Sequence, residues 1–263
     1  MDIQRILLII LAAALGGVLG SFANVLVIRW HEDSSIGGRS ACPRCKTTIK
    51  PRHLIPIFSW LWLRGKCAYC GKSIHYQYPI VEALVAILGI IAAVRHDPLT
   101  DPMFWFEFLF SMTLIVPVVM DIRWQEVPVE YLIGVAVLSG LWQVIYPPSS
   151  MEDILARFYS IALAFLISAV FFGLQIVVSR QKWLGLGDLW FAFAMAGILG
   201  WQKLLVGIYM AYVIGGVVAF VGFVAGKFKR GSRLPFVPAL FAGTMVALWY
   251  GDRITAWFLH AIK

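Results

Sequence analysis

Long runs of apolar residues, separated by short polar breaks, fill most of this 263-residue chain. A run of about 20 apolar residues is long enough for a helix to cross the roughly 30 Å hydrocarbon core of a bilayer. The runs do not alternate between polar and apolar residues, as the strands of a membrane barrel would. The pattern predicts eight apolar helical segments, at about residues 5–29, 78–96, 103–120, 129–146, 153–179, 188–201, 203–226 and 236–259.

The breaks between these segments carry proline, glycine or charge, as at Asp97-Pro98, Pro147-Pro148 and the stretch from Gly231 to Pro235. The first apolar segment is too long for the core of a cleaved signal peptide, so we read it as a retained helix. We therefore expect an all-α polytopic membrane protein with about eight transmembrane helices. It would consist of a first transmembrane helix (1–30), a small loop domain (31–77) and a seven-helix membrane domain (78–263).

Composition supports the membrane class and excludes another. The chain is 60% hydrophobic and only 14% charged, whereas soluble domains carry about a quarter charged residues. Its net charge of +8 could suggest nucleic-acid binding, but the basic residues fall mainly in particular loops and form no basic face interleaved with aromatic residues. The expected partner is the lipid bilayer rather than nucleic acid.

The distribution of Lys and Arg predicts the orientation. Eight of the 22 lie between residues 31 and 77, and more follow the third, fifth and seventh segments on the same predicted face. Cytosolic loops carry the excess of Lys and Arg in membrane proteins. The 31–77 loop is therefore predicted to be cytosolic and both termini non-cytosolic.

All four cysteines of the chain lie in this loop, as two pairs with C-x2-C spacing. Each pair can supply two corners of a tetrahedral metal site, and a reducing cytosol disfavours disulfides as the alternative. Four thiolates leave no open coordination position, so the bound metal would be structural Zn2+. The predicted ligands are Cys42, Cys45, Cys67 and Cys70.

Two aspartates are candidates for chemistry at the membrane edge. Asp121 ends a strongly apolar run, and Asp188 follows Gly185-Leu186-Gly187 at the start of the sixth segment. The predicted topology brings both carboxylates to the cytosolic side at nearly the same depth. If they lie close together they would share a proton, which gives one acid and one base. The alternative from the residues alone is that Asp188 caps a helix and Asp121 pairs with Arg123 at the interface.

The Gly-Leu-Gly-Asp sequence at 185–188 resembles the GxGD motif of membrane aspartyl peptidases. Further motifs resemble the bacterial type IV prepilin peptidases (leader peptidase/N-methyltransferase) in family order, and the resemblance covers most of the chain. They are Gly20-Ser21-Phe22-Ala23-Asn24-Val25 with Arg29, the two cysteine pairs, Pro56-Ile57-Phe58-Ser59-Trp60, Tyr78-Pro79-Ile80-Val81-Glu82, Asp121 with Val127-Pro128, and Pro235-Phe236.

The resemblance implies an enzyme of the bacterial inner (cytoplasmic) membrane. Such peptidases remove the basic leader from type IV prepilins or type II secretion pseudopilins, and many then methylate the new N-terminus with S-adenosylmethionine. By position, the catalytic aspartates would be Asp121 and Asp188, with Gly185 and Gly187 as support. No strand-associated glycine-rich fingerprint for the methyl donor is present, so methylation rests on the resemblance.

Three departures from the family pattern bear on the substrate pocket. Leu189-Trp190 follows Asp188 where a basic residue is common two places on, Pro235-Phe236-Val237-Pro238 replaces Pro-Phe-Gly-Pro, and Pro128 is followed by Val129. None removes a catalytic carboxylate. They put the identity of the substrate in doubt.

Helix ends suggest the roles of the two aspartates. Asp188 at a helix start would favour the anion and act as base, and Asp121 at a helix end would act as acid. Three further polar residues could contact substrate or cofactor: Glu82, Asn24 and Arg29. Their alternatives are structural, with Glu82 bonding Arg29, Asn24 or a backbone group, and Asn24 joining helices.

Two other functions compete with the bifunctional enzyme. One is a peptidase without methyltransferase activity. The other is a metal-regulated transporter, but transporter sites usually lie near the bilayer midplane within repeats, and the chain shows no repeat. No oligomeric state is predicted.

Overall fold

The computed structural model describes residues 3–146, 150–227 and 234–261. The predicted breaks at Pro147-Pro148 and Gly231, the basic residues Lys229, Arg230 and Arg233, and both extreme termini lie outside these ranges. Within them, the fold is helical, with a few isolated bridges in the 31–77 region. The helices are α1 (Ile3–His31), α2 (Phe58–Trp62), α3 (Gln77–Arg95), α4 (Pro102–Trp124), α5 (Val129–Ile145), α6 (Met151–Ser179), α7 (Leu186–Val224) and α8 (Val237–Ala261).

Five of the described helices are long and apolar enough to cross a membrane: α1, α3, α4, α6 and α7. Helix α5 is apolar but shorter. Each of the eight apolar segments predicted from the sequence matches a helix, or one half of α7, to within four residues, so an all-helical, multi-pass membrane protein is confirmed.

Helix α7 corresponds to two of the predicted segments. Its backbone is not helical at Gly200, where φ is 67° and ψ is 175°. A positive φ of this kind costs glycine little but strains residues with a Cβ. The helix therefore breaks at Gly200, near the end of the segment predicted at 188–201 and just before the one predicted at 203–226.

The chain divides into two compact units, Met1–Val116 and Pro117–Lys263. In the first unit, α1 and α3 form an antiparallel pair tied at both ends by polar side chains. Arg5 donates to the carbonyl oxygen of Val94 (3.0 Å) at one end. Asn24 donates to the carbonyl oxygen of Tyr78 (3.2 Å) and accepts from the Gln77 amide (2.9 Å) at the other.

The second unit is a bundle in which α7 packs against α5, α6 and α8. The Ser168 hydroxyl on α6 donates to the carbonyl oxygen of Ala192 on α7 (3.3 Å). Lys203, just after the break in α7, pairs with Asp252 on α8 (2.8 Å). The start of α7 and the start of α8 therefore lie toward the opposite end of this bundle, because Asp252 is about four turns along α8.

Candidate active site and cysteine cluster

Asp121 lies in the last turns of α4 and is nearly buried, with 7% of its surface exposed. Its Oδ2 accepts a hydrogen bond from the backbone N–H of Val237 at 3.0 Å. Val237 is the first residue of α8, and the first N–H groups of a helix have no partner within it. The carboxylate of one helix is therefore fixed by the N-terminus of another, 116 residues away in sequence.

Asp188 is fixed by its own helix. Its Oδ2 accepts the backbone N–H of Gly185 at 2.8 Å, and its own N–H bonds back to the Gly185 carbonyl oxygen at 3.2 Å. This reciprocal arrangement is a capping box without a side chain at the first position. The N-cap is therefore Gly185 and not Asp188, which accepts the N–H of Gly185 from the third position of the helix; residue Asp188 is more exposed than Asp121.

Asp188 lies close enough to Asp121 for its charge to act on the Asp121 carboxyl group. The charge of Asp188 reaches Asp121, and it also reaches Tyr212 on the second half of α7. The topology therefore brings together the two aspartates that the sequence singled out. The Asp121 carboxylate accepts the N–H of Val237. The guanidinium of Arg123, which the sequence offered as an interfacial partner for Asp121, stacks over the Trp124 ring, 4.4 Å from its centroid.

The two glycines of the Gly-Leu-Gly-Asp turn have different surroundings. A Cβ at Gly187 would lie 2.5 Å from Cγ2 of Val127, which is closer than side-chain atoms approach. A Cβ at Gly185 would meet nothing nearer than 3.8 Å. Gly187 therefore permits the close packing of Val127, in the α4–α5 connection, against the turn before Asp188, while Gly185 supplies a backbone N–H that every residue except proline has.

Three residues that shape this site had no predicted role in it: Val237 and Val127, which lie in recognised motifs, and Tyr212, which the sequence did not single out. The Tyr212 hydroxyl donates to Oε1 of Gln175 (2.8 Å), and its ring packs edge-on against Phe236 (5.2 Å). Pro235-Phe236 and Val127-Pro128 were recognised as motifs without a role. Their role is positional, because one begins the helix that binds Asp121 and the other packs on the Asp188 turn.

An apolar groove lies beside Tyr212 on the face of α6. It has a volume of about 630 Å³ and is lined by Leu166, Ile167, Val170, Phe171, Leu174 and Gln175. Gln175 is the polar end of this groove, and it bonds Tyr212. A lipid tail or an apolar helix suits such a lining.

The four cysteines lie together in the first unit. Their sulfur atoms are all within 4.8 Å of one another, and Sγ of Cys42 is 4.0 Å from Sγ of Cys70. Each pair lies in a tight turn of the same form, since Lys46 N–H bonds the Cys42 carbonyl (2.8 Å) and Gly71 N–H bonds the Cys67 carbonyl (3.0 Å). Four convergent thiols in two matching turns fit a tetrahedral metal site.

One of these thiols is already disposed to ionise. Hydrogen bonds from the side chain and backbone of Thr47 lower the pKa of Cys45 to about 6. The thiolate rather than the thiol binds metal.

The three polar residues considered as possible contacts are held within the first unit. Glu82 is 7% exposed, and its Oε2 accepts the backbone N–H of Ile57 at 2.7 Å. Asn24 is 1% exposed and joins α1 to α3. Arg29 donates to the carbonyl oxygens of Ser35, Ile36, Gly37 and Gly38 and so closes the loop that follows α1.

Two family models match the chain. The Bacterial Peptidase A24 N-terminal domain matches residues 14–96, and the Type IV leader peptidase family matches residues 108–220. A prepilin leader peptidase/N-methyltransferase of Bacillus subtilis (strain 168) is 30% identical over 245 residues, which is 93% of this chain and 95% of that protein. The chain belongs to the type IV leader peptidase family.

Other relatives in this family carry the same name. The Stutzerimonas stutzeri protein is 27% identical over 282 residues, covering 96% of this chain and 94% of its own. The Aeromonas salmonicida (strain A449) protein is 26% identical, covering 85% of this chain and 75% of its own. No solved structure matches this chain.

Proposed function

We propose that this protein is a membrane aspartyl endopeptidase that removes the basic leader from type IV prepilins or type II secretion pseudopilins. We further propose that S-adenosylmethionine-dependent methylation of the new N-terminus follows. The observation that carries the peptidase proposal is the pair Asp121 and Asp188. Each carboxylate is fixed by a backbone N–H at a helix start, and the charge of Asp188 acts on Asp121.

The proposed reaction is hydrolysis without a covalent intermediate. The ionised aspartate takes a proton from water as the oxygen attacks the scissile carbonyl carbon, and the protonated aspartate donates to the carbonyl oxygen. In the second step the first aspartate gives its proton to the leaving amine. The carbonyl forms again, and its hydroxyl proton returns to the second aspartate, so the dyad ends as it began.

We assign Asp188 as the base and Asp121 as the acid, on exposure rather than on helix dipoles. The dipole argument treated Asp121 only as the end of α4, but its carboxylate also binds the N-terminus of α8, which favours an anion. The two dipoles therefore oppose one another at Asp121. As a residue, Asp188 has more exposed surface than Asp121, which is nearly buried, so Asp188 is the one we expect to meet water.

The four cysteines would hold Zn2+ as a structural ion. A four-thiolate site is closed to substrate, so the ion would supply folding free energy to the loop domain and no step of hydrolysis. Cys42, Cys45, Cys67 and Cys70 would hold it.

We also propose eight crossings of the bacterial cytoplasmic membrane, with the two halves of α7 counting separately. The excess of Lys and Arg in 31–77 then places that domain and the dyad on the cytosolic side and both termini outside. The break at Gly200 supports the count, because the chain can reverse there.

Coexpression with candidate prepilins from the same genome tests the proposal. The mass of the pilin and of its N-terminal peptide reports cleavage and methylation together. A cleaved and methylated product is expected with the wild-type chain, and an intact prepilin is expected with Asp188→Asn. A cleaved product without the added methyl group would indicate a peptidase without methyltransferase activity, and uncleaved prepilin with the wild type would contradict the proposal.

A further inference from the structure

Residues 54–63 form an apolar stretch inside a region that otherwise reads as a polar cytosolic domain. The sequence from Leu54 to Leu63 holds no ionisable residue, and it is flanked by Arg52-His53 and Arg64. The short helix α2 lies within it. A stretch of this length is too short to cross a bilayer but suits a re-entrant or interfacial segment.

One face of this stretch is apolar and largely exposed. Phe58, Leu61 and Trp62 are 70%, 59% and 85% exposed, and Ile55 is 50% exposed. Soluble domains rarely leave several large apolar side chains together in water. The outward face therefore needs an apolar partner.

The polar groups on the opposite face form hydrogen bonds within the protein. The Trp60 indole N–H donates to the carbonyl oxygen of Ile74 (3.3 Å), and the Ser59 hydroxyl donates to the carbonyl oxygen of Arg52 (3.0 Å). The backbone N–H groups of Phe58, Ser59 and Leu61 bond carbonyl oxygens of Pro56, Ile55 and Ile57. Satisfied backbone and buried polar groups are what a segment in lipid requires.

Ile57 has a strained backbone conformation, and its N–H is bound by the side chain of Glu82. Its φ of 64° places the residue outside the helical conformation, at the start of α2. Its N–H donates to the carboxylate of Glu82 on α3 at 2.7 Å, and Ser21 on α1 also hydrogen-bonds Glu82. A buried carboxylate in a spanning helix is costly unless it has such partners.

The contacts of the segment fix its depth. A Cβ at Gly17 would lie 3.3 Å from Pro56, and Gly17 is about 18 Å along α1 from both Arg5 and Arg29 at 1.5 Å per residue. Pro56 therefore contacts the middle of a membrane-spanning helix. Glu82 is about 20 Å along α3 from Arg95, which ends the helix on the other side. Because the hydrocarbon core is about 30 Å thick, Glu82 lies about 10 Å inside the cytosolic edge of the core when Arg95 lies at the opposite edge.

We infer that residues 54–63 are a re-entrant segment inserted in the cytosolic leaflet of the membrane, with lipid acyl chains covering Phe58, Leu61 and Trp62. The contacts of Pro56 and Ile57 with α1 and α3 place the segment below the headgroups. Arg52 and Arg64, at its two ends, then lie where anionic lipid headgroups would pair with them. The cysteine cluster is thereby held against the membrane surface instead of on a free loop.

Site-directed spin labelling in lipid nanodiscs tests this without using the cysteines. The full-length protein would carry p-acetylphenylalanine at position 62 or, as a control, at position 44 in the first cysteine turn, each coupled to a hydroxylamine nitroxide. Trp62 and Arg44 are both exposed side chains, so both sites accept a label. Power saturation compares collisions with O2, which concentrates in lipid, and with a polar nickel chelate, which stays in water.

The expected result is a depth parameter that is positive at position 62 and negative at position 44. A label at position 62 that collides with the nickel chelate as often as the label at position 44 would overturn the inference, because the face would then be open to water. A label at position 62 shielded from both reagents would also overturn it, because protein and not lipid would cover the face.

A second measurement uses the native residue. Brominated lipids quench tryptophan fluorescence on contact, so Trp62→Phe should remove part of the lipid-quenched signal of the wild-type protein. An unchanged lipid-quenched signal in Trp62→Phe would count against the segment being in lipid. Cleavage is not the readout in either experiment, so failure of this inference leaves the proposed peptidase untouched.

Discussion

The cysteine cluster and the aspartate pair hold reactive side chains together by opposite means. In the cluster, each pair of ligands is three residues apart, and two turns of matching hydrogen bonds present all four sulfur atoms. In the dyad, Asp121 and Asp188 come from different helices, and each depends on a helix start to hold it. A local site needs only the turns that present its ligands, whereas a distant pair needs the whole bundle that carries it.

This contrast predicts that changes to the dyad act on chemistry and changes to the cluster act on folding. The largest expected effect is at the carboxylates themselves. Asp121→Asn and Asp188→Asn each remove an ionisable group with little change in shape. Because general acid–base catalysis contributes about 10²–10⁴-fold, each should lower the rate of prepilin cleavage by at least about 10²-fold. Expression and the thermal unfolding midpoint in detergent should stay close to wild type.

The helix start that binds Asp121 gives the next largest effect. Val237→Pro removes the N–H that donates to the carboxylate, and proline is tolerated at the first position of a helix. In the proposed mechanism Asp121 becomes charged as it donates its proton. Hydrogen bonds to charged groups contribute about 1.5–3 kcal/mol, so cleavage should slow by about tenfold or more.

Val237→Ala is the matched control, because it trims the same buried side chain but keeps the N–H. It should cleave faster than Val237→Pro. Equal rates for the two variants would show that packing, and not the hydrogen bond, matters at this position.

The two glycines of the motif should differ. Gly187→Ala places a Cβ against Val127, and overpacking of this kind costs about 1–3 kcal/mol. Helix propensity alone predicts the reverse, since alanine is favoured over glycine in a helix by about 1 kcal/mol. We expect a lower unfolding midpoint and slower cleavage for Gly187→Ala, measured side by side with Gly185→Ala.

Gly185→Ala should be close to wild type in both measurements, because its Cβ meets only ordinary contacts. If Gly185→Ala is as impaired as Gly187→Ala, the backbone of the turn, rather than the contact with Val127, sets the requirement for glycine.

The cysteine cluster should have the smallest effect on the rate of cleavage. Cys70→Ser removes one thiolate, so the loop domain should lose bound zinc and become sensitive to trypsin at its many basic residues. Ala68→Ser, within the same turn, should retain zinc and trypsin resistance. Cleavage by Cys70→Ser should fall less than in either aspartate variant. If Cys70→Ser retained zinc but cleaved as slowly as Asp188→Asn, the result would mean that the cluster takes part in the chemistry.

The same contrast explains how much the sequence could predict. The cysteine turns and the apolar helices are local patterns, and the structure has both where the sequence placed them. The pairing of Asp121 with Asp188 was predicted from topology and from the motif at 185–188. The partner of Asp121 could not be predicted, because it is the backbone N–H of Val237, and the type of residue does not show which backbone groups form hydrogen bonds. Nor does spacing reveal that Val127 lies against Gly187.

The role of Glu82 shows a related limit. A carboxylate in an apolar helix signals that it has a partner but not which one. Among the alternatives considered, the structure shows a backbone group, the N–H of Ile57. The strain at Ile57 is a property of its backbone conformation. The residue types in Pro56-Ile57-Phe58 do not reveal it.

The central claim is that Asp121 and Asp188 work as one unit, and a double-mutant cycle tests it most directly. Cleavage of one prepilin would be measured with Asp121→Asn, Asp188→Asn and the double variant, all purified in the same lipid. Residues that act as a unit are strongly non-additive. The predicted result is that both single variants are as slow as the double variant. A double variant that is slower than the wild type by the product of the two separate fold-effects would contradict the dyad.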